Sequence, residues 1–356
     1  MTISIGENNI NPDSDRIFIV FEGGPTHDGI ETAKRLIDVA VDSKADAVKF
    51  QMIDADRLMG EKDVKFGYKI LADRENDIYA GREEMLYDIL KRRELKKEEW
   101  KELKEYADMK GIMFFCTVMF PDEVDFAVDE LGIQSLKVAS ADVDHFPLLR
   151  YISGKNVNIQ VDTGSGNLWE IERAVRIIRE RNNNIIIHHC PSGYPARLES
   201  INLRVIPTLK MMFPEHVIAF SDHTPGWDMD VAAIALGARL VEKTITLDRT
   251  TPSVEHCFSL EPDDAKRFVK SVRELETALG SSTRDIPSNI LEERKKGRRS
   301  VFIKKSLSKG SALKPDNLDY KRPGYGISPS QSDILIGRTV AKDLPDNYML
   351  SWKDII

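Results

Sequence analysis

Through its first 280 residues the chain alternates short, β-rich apolar runs with longer stretches of helical periodicity, and no other feature narrows its fold so far. The strand-like runs are IFIVF (17–21), DAVKFQ (46–51), IMFFCT (112–117), QSLKVA (134–139), VNIQV (157–161), IIIHHC (185–190), VIAFS (217–221) and RLVEK (239–243). Between them lie GIETAKRLIDVAVDS, PDEVDFAVDEL, NLWEIERAVRIIRER and SINLRVIPTLKMMF, and EPDDAKRFVKSVRELETALG closes the series. Eight strand–helix units in about 250 residues are the signature of a (β/α)8 TIM barrel, an α/β fold. A doubly wound open sheet is the competing architecture, but it generally uses fewer strands.

The barrel is thus expected over 1–280. Its stretch 52–100, charged and containing KFGYKILADREN, is too long for a simple connection and reads as an elaborated loop over the barrel mouth. Residues 281–297 read as a linker, and 298–356 as a small β-rich domain of short strands broken by Gly and Pro turns. Met211 and Met212, at the end of an amphipathic pattern, read as core, as do the thiols of Cys116 and Cys190.

Composition removes several functions. With 58 Asp and Glu against 51 Lys and Arg, the formal charge of −7 argues against nucleic-acid binding. No apolar run approaches the ~20 residues that span a bilayer. The polar opening MTISIGENNINPDSDR lacks a secretory apolar core, and three scattered cysteines suggest no disulfide framework. A cytoplasmic enzyme acting on small molecules is the expectation.

In a TIM barrel the chemistry sits at the carboxyl ends of the strands. Those ends carry Glu22; Lys49 and Gln51; Thr117; Lys137 and Ser140; Asp162 and Thr163; His188 and His189; Ser221, Asp222 and His223; Glu242 and Lys243. Polar groups are therefore expected to converge on one mouth from all eight strands. Ser140 and Thr163 have an even chance of being merely satisfied core hydroxyls. Lys49 and Lys137 are harder to dismiss, because a buried ammonium without a partner costs several kcal/mol. They read as anion ligands in preference to structural ion pairs. Only one of His188 and His189 can point inward, and both read as packing or supporting residues.

Taken in order, these strand ends resemble the sialic acid synthase family, which condenses phosphoenolpyruvate with an N-acylated hexosamine. FEGGPTHDGIETAKRLIDVAVDSKADAVKFQ resembles the family's opening, and CTVMFPDEVDFAVDELGIQSLKVASAD its third and fourth units. FSDHTPGWDMDVAAIALGARLVEKTITLDRTTPSVEHCFSLEPD is similar to its seventh and eighth. The tail, with LSKGSALKPDNL and KRPGYGISP, resembles the antifreeze-like (SAF) domain that closes family members.

The resemblance implies that Lys49, Thr117, Lys137, Ser140 and Ser221 hold phosphoenolpyruvate, the co-substrate, with Gln51 in the same pocket. It implies that Glu22, Tyr194 and Glu255 face the sugar, Glu22 also as a proton carrier. Arg322 would reach the sugar's acyl group from a partner's SAF domain, which implies a domain-swapped homodimer. A divalent ion, Mn2+ or Mg2+, would be held by His223 and a second histidine, with Glu242 beside it.

Three positions depart from the family's pattern. The second metal histidine is replaced by Thr244, which puts the ion in doubt and leaves His27 and His256 as candidate substitutes. Asp162 stands where a phosphate-side serine is usual, and would repel phosphate unless paired or turned away. Thr26 replaces an asparagine in the first loop. The leading expectation is a phosphoenolpyruvate-dependent transferase that makes a nonulosonic acid. The alternatives are an aldolase or isomerase on a sugar acid, and a non-catalytic sugar-binding relative.

Overall fold

Runs of β-branched and aromatic residues buried on both faces suit parallel strands enclosed by helices. The computed structural model describes residues 3–5 and 8–356. In it the eight runs form strands β1 (Phe18–Glu22), β2 (Ala47–Gln51), β3 (Met113–Thr117), β4 (Ser135–Val138), β5 (Asn158–Asp162), β6 (Ile185–His189), β7 (Val217–Asp222) and β8 (Leu240–Thr244). Each pairs in parallel with its sequence neighbours, and β8 returns to β1, so the sheet closes into a barrel. Its register sets Glu22 beside Lys49 and Thr244, and Ser221 beside Glu242.

Helices cover the outside. Ile30–Asp42 buries Ala33, Leu36, Ile37, Val39 and Ala40 on one face. Asn167 caps Leu168–Arg179 in a capping box with Glu170, and Pro262 opens the long helix Pro262–Leu279. The helix Val205–Met212 buries Ile206 and Leu209. Met211 and Met212 are not core: they are 77% and 37% exposed. Met211 lies about 200° around the helix from Leu209, on the solvent face, and Met212 ends the last turn. Cys116 and Cys190 are buried as expected.

The long second connection is structured. Strands Lys65–Asp73 and Ile78–Met85 form an antiparallel hairpin, followed by the helix Leu86–Lys91. Two small apolar clusters seat it: Tyr68 and Ile89 pack with Val254, and Leu71 with Cys257 and Phe258. Tyr194 packs against both clusters.

The chain divides into two compact units between Gly280 and Ser281. In the second, Ser300–Ile303 pairs antiparallel with Leu318–Lys321 around a core of its own that includes Val301, Leu313, Val340 and Leu350. The stretch read as a linker contains a helix, Leu291–Gly297. Among the described residues no helix is long and apolar enough to cross a membrane.

Candidate active site

Strand alternation sends one residue of each neighbouring pair into the barrel and the other out. Inside, near the carboxyl ends, two lysines meet three carboxylates. Lys49 Nζ lies 2.5 Å from Glu22 Oε2 and 2.8 Å from Glu242 Oε1. Lys137 Nζ lies 2.7 Å from the same Glu242 oxygen and 2.9 Å from Asp162 Oδ2, and donates to Ser221 Oγ at 2.8 Å. All five charged groups are buried. The lysines therefore have structural partners in addition to any anion.

Burial opposes the charge on Lys49, but Glu22 and Glu242 outweigh it and hold the ammonium well above its ordinary pKa. Burial likewise opposes ionisation of Glu242, yet Lys137 and Lys49 drive its carboxyl well below the usual range. Asp162 is also lowered, against burial, by Lys137 and His188. Glu22 goes the other way: burial raises it in spite of Lys49. Its Oε1 accepts the Gly24 N–H at 2.6 Å and its Oε2 the Gln51 amide at 3.2 Å. A Cβ on Gly24 would come within 2.7 Å of Glu22 Oε1 and 2.9 Å of the Gln51 backbone nitrogen, so only glycine lets this loop approach so closely.

Below the cluster runs a line of polar side chains of which the sequence singles out only His188 and Ser221. Asn158 accepts from Ser135 Oγ at 2.7 Å, which accepts from Gln160 Nε2 at 2.9 Å. Gln160 Oε1 faces His188 Nε2 at 2.7 Å, and His188 Nδ1 faces Ser221 Oγ at 3.0 Å. Burial, followed by Lys137, lowers His188 to about 3, so the ring is neutral. The available signal was a glutamine inside the apolar run VNIQV.

Asp222 and Lys243 do not join the mouth. They point outward and pair with each other, and Lys243 Nζ also donates to the Thr224 carbonyl at 2.5 Å and lies 3.7 Å from Asp230 Oδ2 on the helix Asp228–Ala235. His189 also points away, its Nε2 2.6 Å from the Ile201 carbonyl. Thr163 Oγ1 donates to the His188 carbonyl at 2.7 Å, a satisfied core hydroxyl. Ser140 opens a short turn, half-buried, and Thr117 is buried at the end of β3.

At the rim, Tyr194 packs at a tilt against His223 with ring centroids 4.9 Å apart, and Phe258 lies 5.9 Å from the same imidazole. Burial lowers the pKa of His223, and its Nδ1 has no hydrogen-bond partner. Asp162 Oδ1 and Glu242 Oε2 also lack one. Glu255 accepts the Thr244 hydroxyl at 3.1 Å, and burial, reinforced by Glu22, pushes its carboxyl up to about 8. Its φ of 70° is left-handed, a conformation that costs a side-chain-bearing residue on the order of 1 kcal/mol and recurs where a site dictates the backbone.

Two buried lysines held among three carboxylates thus stand at the exit of a closed barrel. A model of the NeuB family matches residues 36–284, and one of the SAF domain matches 298–356. The chain belongs to the NeuB family. N,N'-diacetyllegionaminic acid synthase of Legionella pneumophila is 33% identical over 356 residues, 98% of each chain. N-acetylneuraminate-9-phosphate synthase of Homo sapiens is 32% identical over 345 residues, 93% of each chain. The crystal structure of N-acetylneuraminic acid synthetase from Leptospira borgpetersenii, in complex with citrate, superposes with a TM-score of 0.71 at 29% identity, over 82% of this chain and 95% of that one.

Within this NeuB-family site the departures have physical partners. Thr26 Oγ1 donates to the Ile245 carbonyl at 2.6 Å and ties the first loop to the exit of β8. Asp162 is paired with Lys137 and so is not free to turn away. A divalent ion on His223 needs two or more further donors. Thr244 commits its hydroxyl to Glu255. His27 Nδ1 accepts the Gly29 N–H at 3.3 Å, and His256 Nδ1 lies 2.8 Å from Thr246 Oγ1. Among the described residues no trio of His, Cys, Asp or Glu that includes His223, His27 or His256 brings its ligand atoms within 4.8 Å of one another. The trio that does, Asp54, Asp56 and Glu94, lies in the second loop, already paired with Lys62 and Lys91. At the mouth His223 thus offers the expected ion one imidazole, and Thr244 stands where the second is usual. Arg322 is exposed in the second unit.

Proposed function

We propose that this chain condenses phosphoenolpyruvate with an N-acylated hexosamine or a similar aldose, giving a nonulosonic acid and phosphate. The observation that carries this reading is the pair of buried ammonium groups, Lys49 and Lys137, joined through one oxygen of Glu242. Family membership and the synthase names of full-length relatives support it.

Lys49 and Lys137 would hold the carboxylate and phosphate of phosphoenolpyruvate, with Thr117, Ser140 and Ser221 as hydroxyl donors. Because Glu22, Asp162 and Glu242 already face these lysines, an incoming trianion must displace a carboxylate or bind together with a solvent proton that the carboxylate takes up. C3 of phosphoenolpyruvate would then bond to the sugar's aldehyde carbon, whose oxygen takes up a proton. Water adds at C2, and loss of phosphate leaves the keto acid. Glu255 and Glu22, both raised above the usual carboxylate range, are the groups suited to supply that proton and grip the hydroxyls. His223, neutral and packed against Tyr194, would orient the aldehyde. The metal site is read as altered, because Thr244 offers no imidazole and holds its hydroxyl on Glu255. Arg322 of a second copy would complete the sugar site, making the working form a homodimer.

The test is phosphate release from phosphoenolpyruvate with a panel of N-acylated hexosamines, run with Mn2+, Mg2+ or EDTA. Sugar-dependent release that survives EDTA is expected. Failure of phosphoenolpyruvate to bind at all would overturn the reading.

A further inference from the structure

Arg93, just beyond the helix Leu86–Lys91, is 4% exposed, yet it belongs to none of the ion pairs among the described residues. Its Nη1 donates to the His27 carbonyl, its Nη2 donates to Ser253 Oγ at 2.8 Å, and its Nε has no partner. Two neutral acceptors do not compensate a buried guanidinium, whose desolvation costs several kcal/mol without a counter-charge. Burial, followed by Arg92, accordingly lowers its pKa to about 10.

Arg93 lines a pocket of about 400 Å³ between the loops that leave β1 and β8. Arg35 and Arg92 line it too. Arg35 is exposed and has no acidic partner among the described residues, whereas Arg92 pairs with Glu84 at 2.6 Å. Two carboxylates face the same space. Asp248 is turned to Arg74 at 2.8 Å and to Thr250, and Asp28 accepts the Thr32 hydroxyl. His256, the remaining titratable group, is neutral because burial lowers it to about 4. The local balance therefore leaves positive charge without a partner, in a cavity large enough for a tetrahedral anion.

We propose that this pocket is an oxyanion subsite that receives a phosphate-type group through Arg93 and Arg35. Guanidinium forks suit phosphate oxygens, and the Thr251 and Ser253 hydroxyls beside them can add hydrogen bonds. The anion is either the phosphate of a phosphorylated sugar substrate or a free phosphate acting as a separate ligand. The first source rests on the condensation reading; the binding itself does not.

The experiment titrates inorganic phosphate into the wild type, Arg93→Met and Arg35→Gln by calorimetry, against sodium chloride at matched ionic strength. Binding weakened about tenfold in Arg93→Met and a few-fold in Arg35→Gln is expected. Arg35 is exposed, so its variant keeps the fold should Arg93→Met lose it. Phosphate held in the barrel lumen would be blind to Arg35. Affinity unchanged in Arg35→Gln, or absent in the wild type beyond the salt control, overturns the proposal. A second arm compares kcat/KM for a 6-phosphorylated N-acylhexosamine and its unphosphorylated form. If the ratio falls in both variants, the subsite reads the substrate's phosphate. If it holds while inorganic phosphate binding falls, the ligand is a separate anion. A protein that turns over neither sugar refutes the condensation and leaves the binding result standing.

Discussion

Asp162 puts a third carboxylate against two lysines, and the lumen's affinity for an anion turns on that residue. Asp162→Ser removes the competitor for Lys137, so phosphoenolpyruvate is expected to bind about tenfold more tightly, read by calorimetry. In the wild type the affinity should rise as pH falls, because Asp162, held low by Lys137, must take up a proton or give way; the serine variant should flatten that rise. Glu255 gives a pH dependence of stability with its own sign. Its folded pKa of about 8 lies above the ordinary 4.5, so the folded state keeps a proton that the unfolded state loses. Stability from this residue is full below the ordinary value and drains away as pH rises through the folded one. Glu255→Gln should therefore raise the unfolding temperature at about pH 8.5, by a gain of about 3–5 kcal/mol, and change far less near pH 5. Both residues could be named from sequence, since Asp162 interrupts a pattern and Glu255 follows one. Their partners could not, because Lys137 and Thr244 are brought to them by barrel closure and loop course, not by spacing along the chain.

The strands were readable as elements, and their two faces were not. In an enclosed parallel barrel both faces of a strand are buried, so LVEKT carries no alternation of polarity to say that Glu242 faces in and Lys243 out. The outward lysine nevertheless has a definite task. Lys243, Asp222 and Asp230 are fully buried and join β7, β8 and the helix Asp228–Ala235. Lys243→Met strands Asp222 without its counter-charge and should cost about 3–5 kcal/mol in denaturant unfolding. Pairing it with Asp222→Asn should recover part of that loss. Where the single variant stays folded, phosphoenolpyruvate affinity should be unchanged, in contrast to Lys49 or Lys137 variants. The solvent-facing Met211 shows the opposite limit: the amphipathic pattern located its helix but not the angle at which the last turn leaves the core.

For the molecule as a whole, the barrel and the SAF domain could be read from pattern and motif, whereas the assembly has to be tested in solution. If Arg322 serves a second copy's barrel, Arg322→Ala and Lys137→Met proteins, each inactive alone, should regain activity when mixed and allowed to exchange subunits. One barrel of the mixed dimer then has both its lysines and an intact arginine. Two inactive proteins that stay inactive after proven exchange would remove the shared-site reading. A last consequence belongs to the hairpin Lys65–Met85. Tyr194 is common to the two apolar clusters that seat the hairpin, and the same ring lies on His223. A hairpin that lifted to admit a sugar would strip Tyr194 of this packing and loosen its contact with the imidazole. Each catalytic cycle should then wait on closure and reopening, and kcat should slow as solvent viscosity is raised.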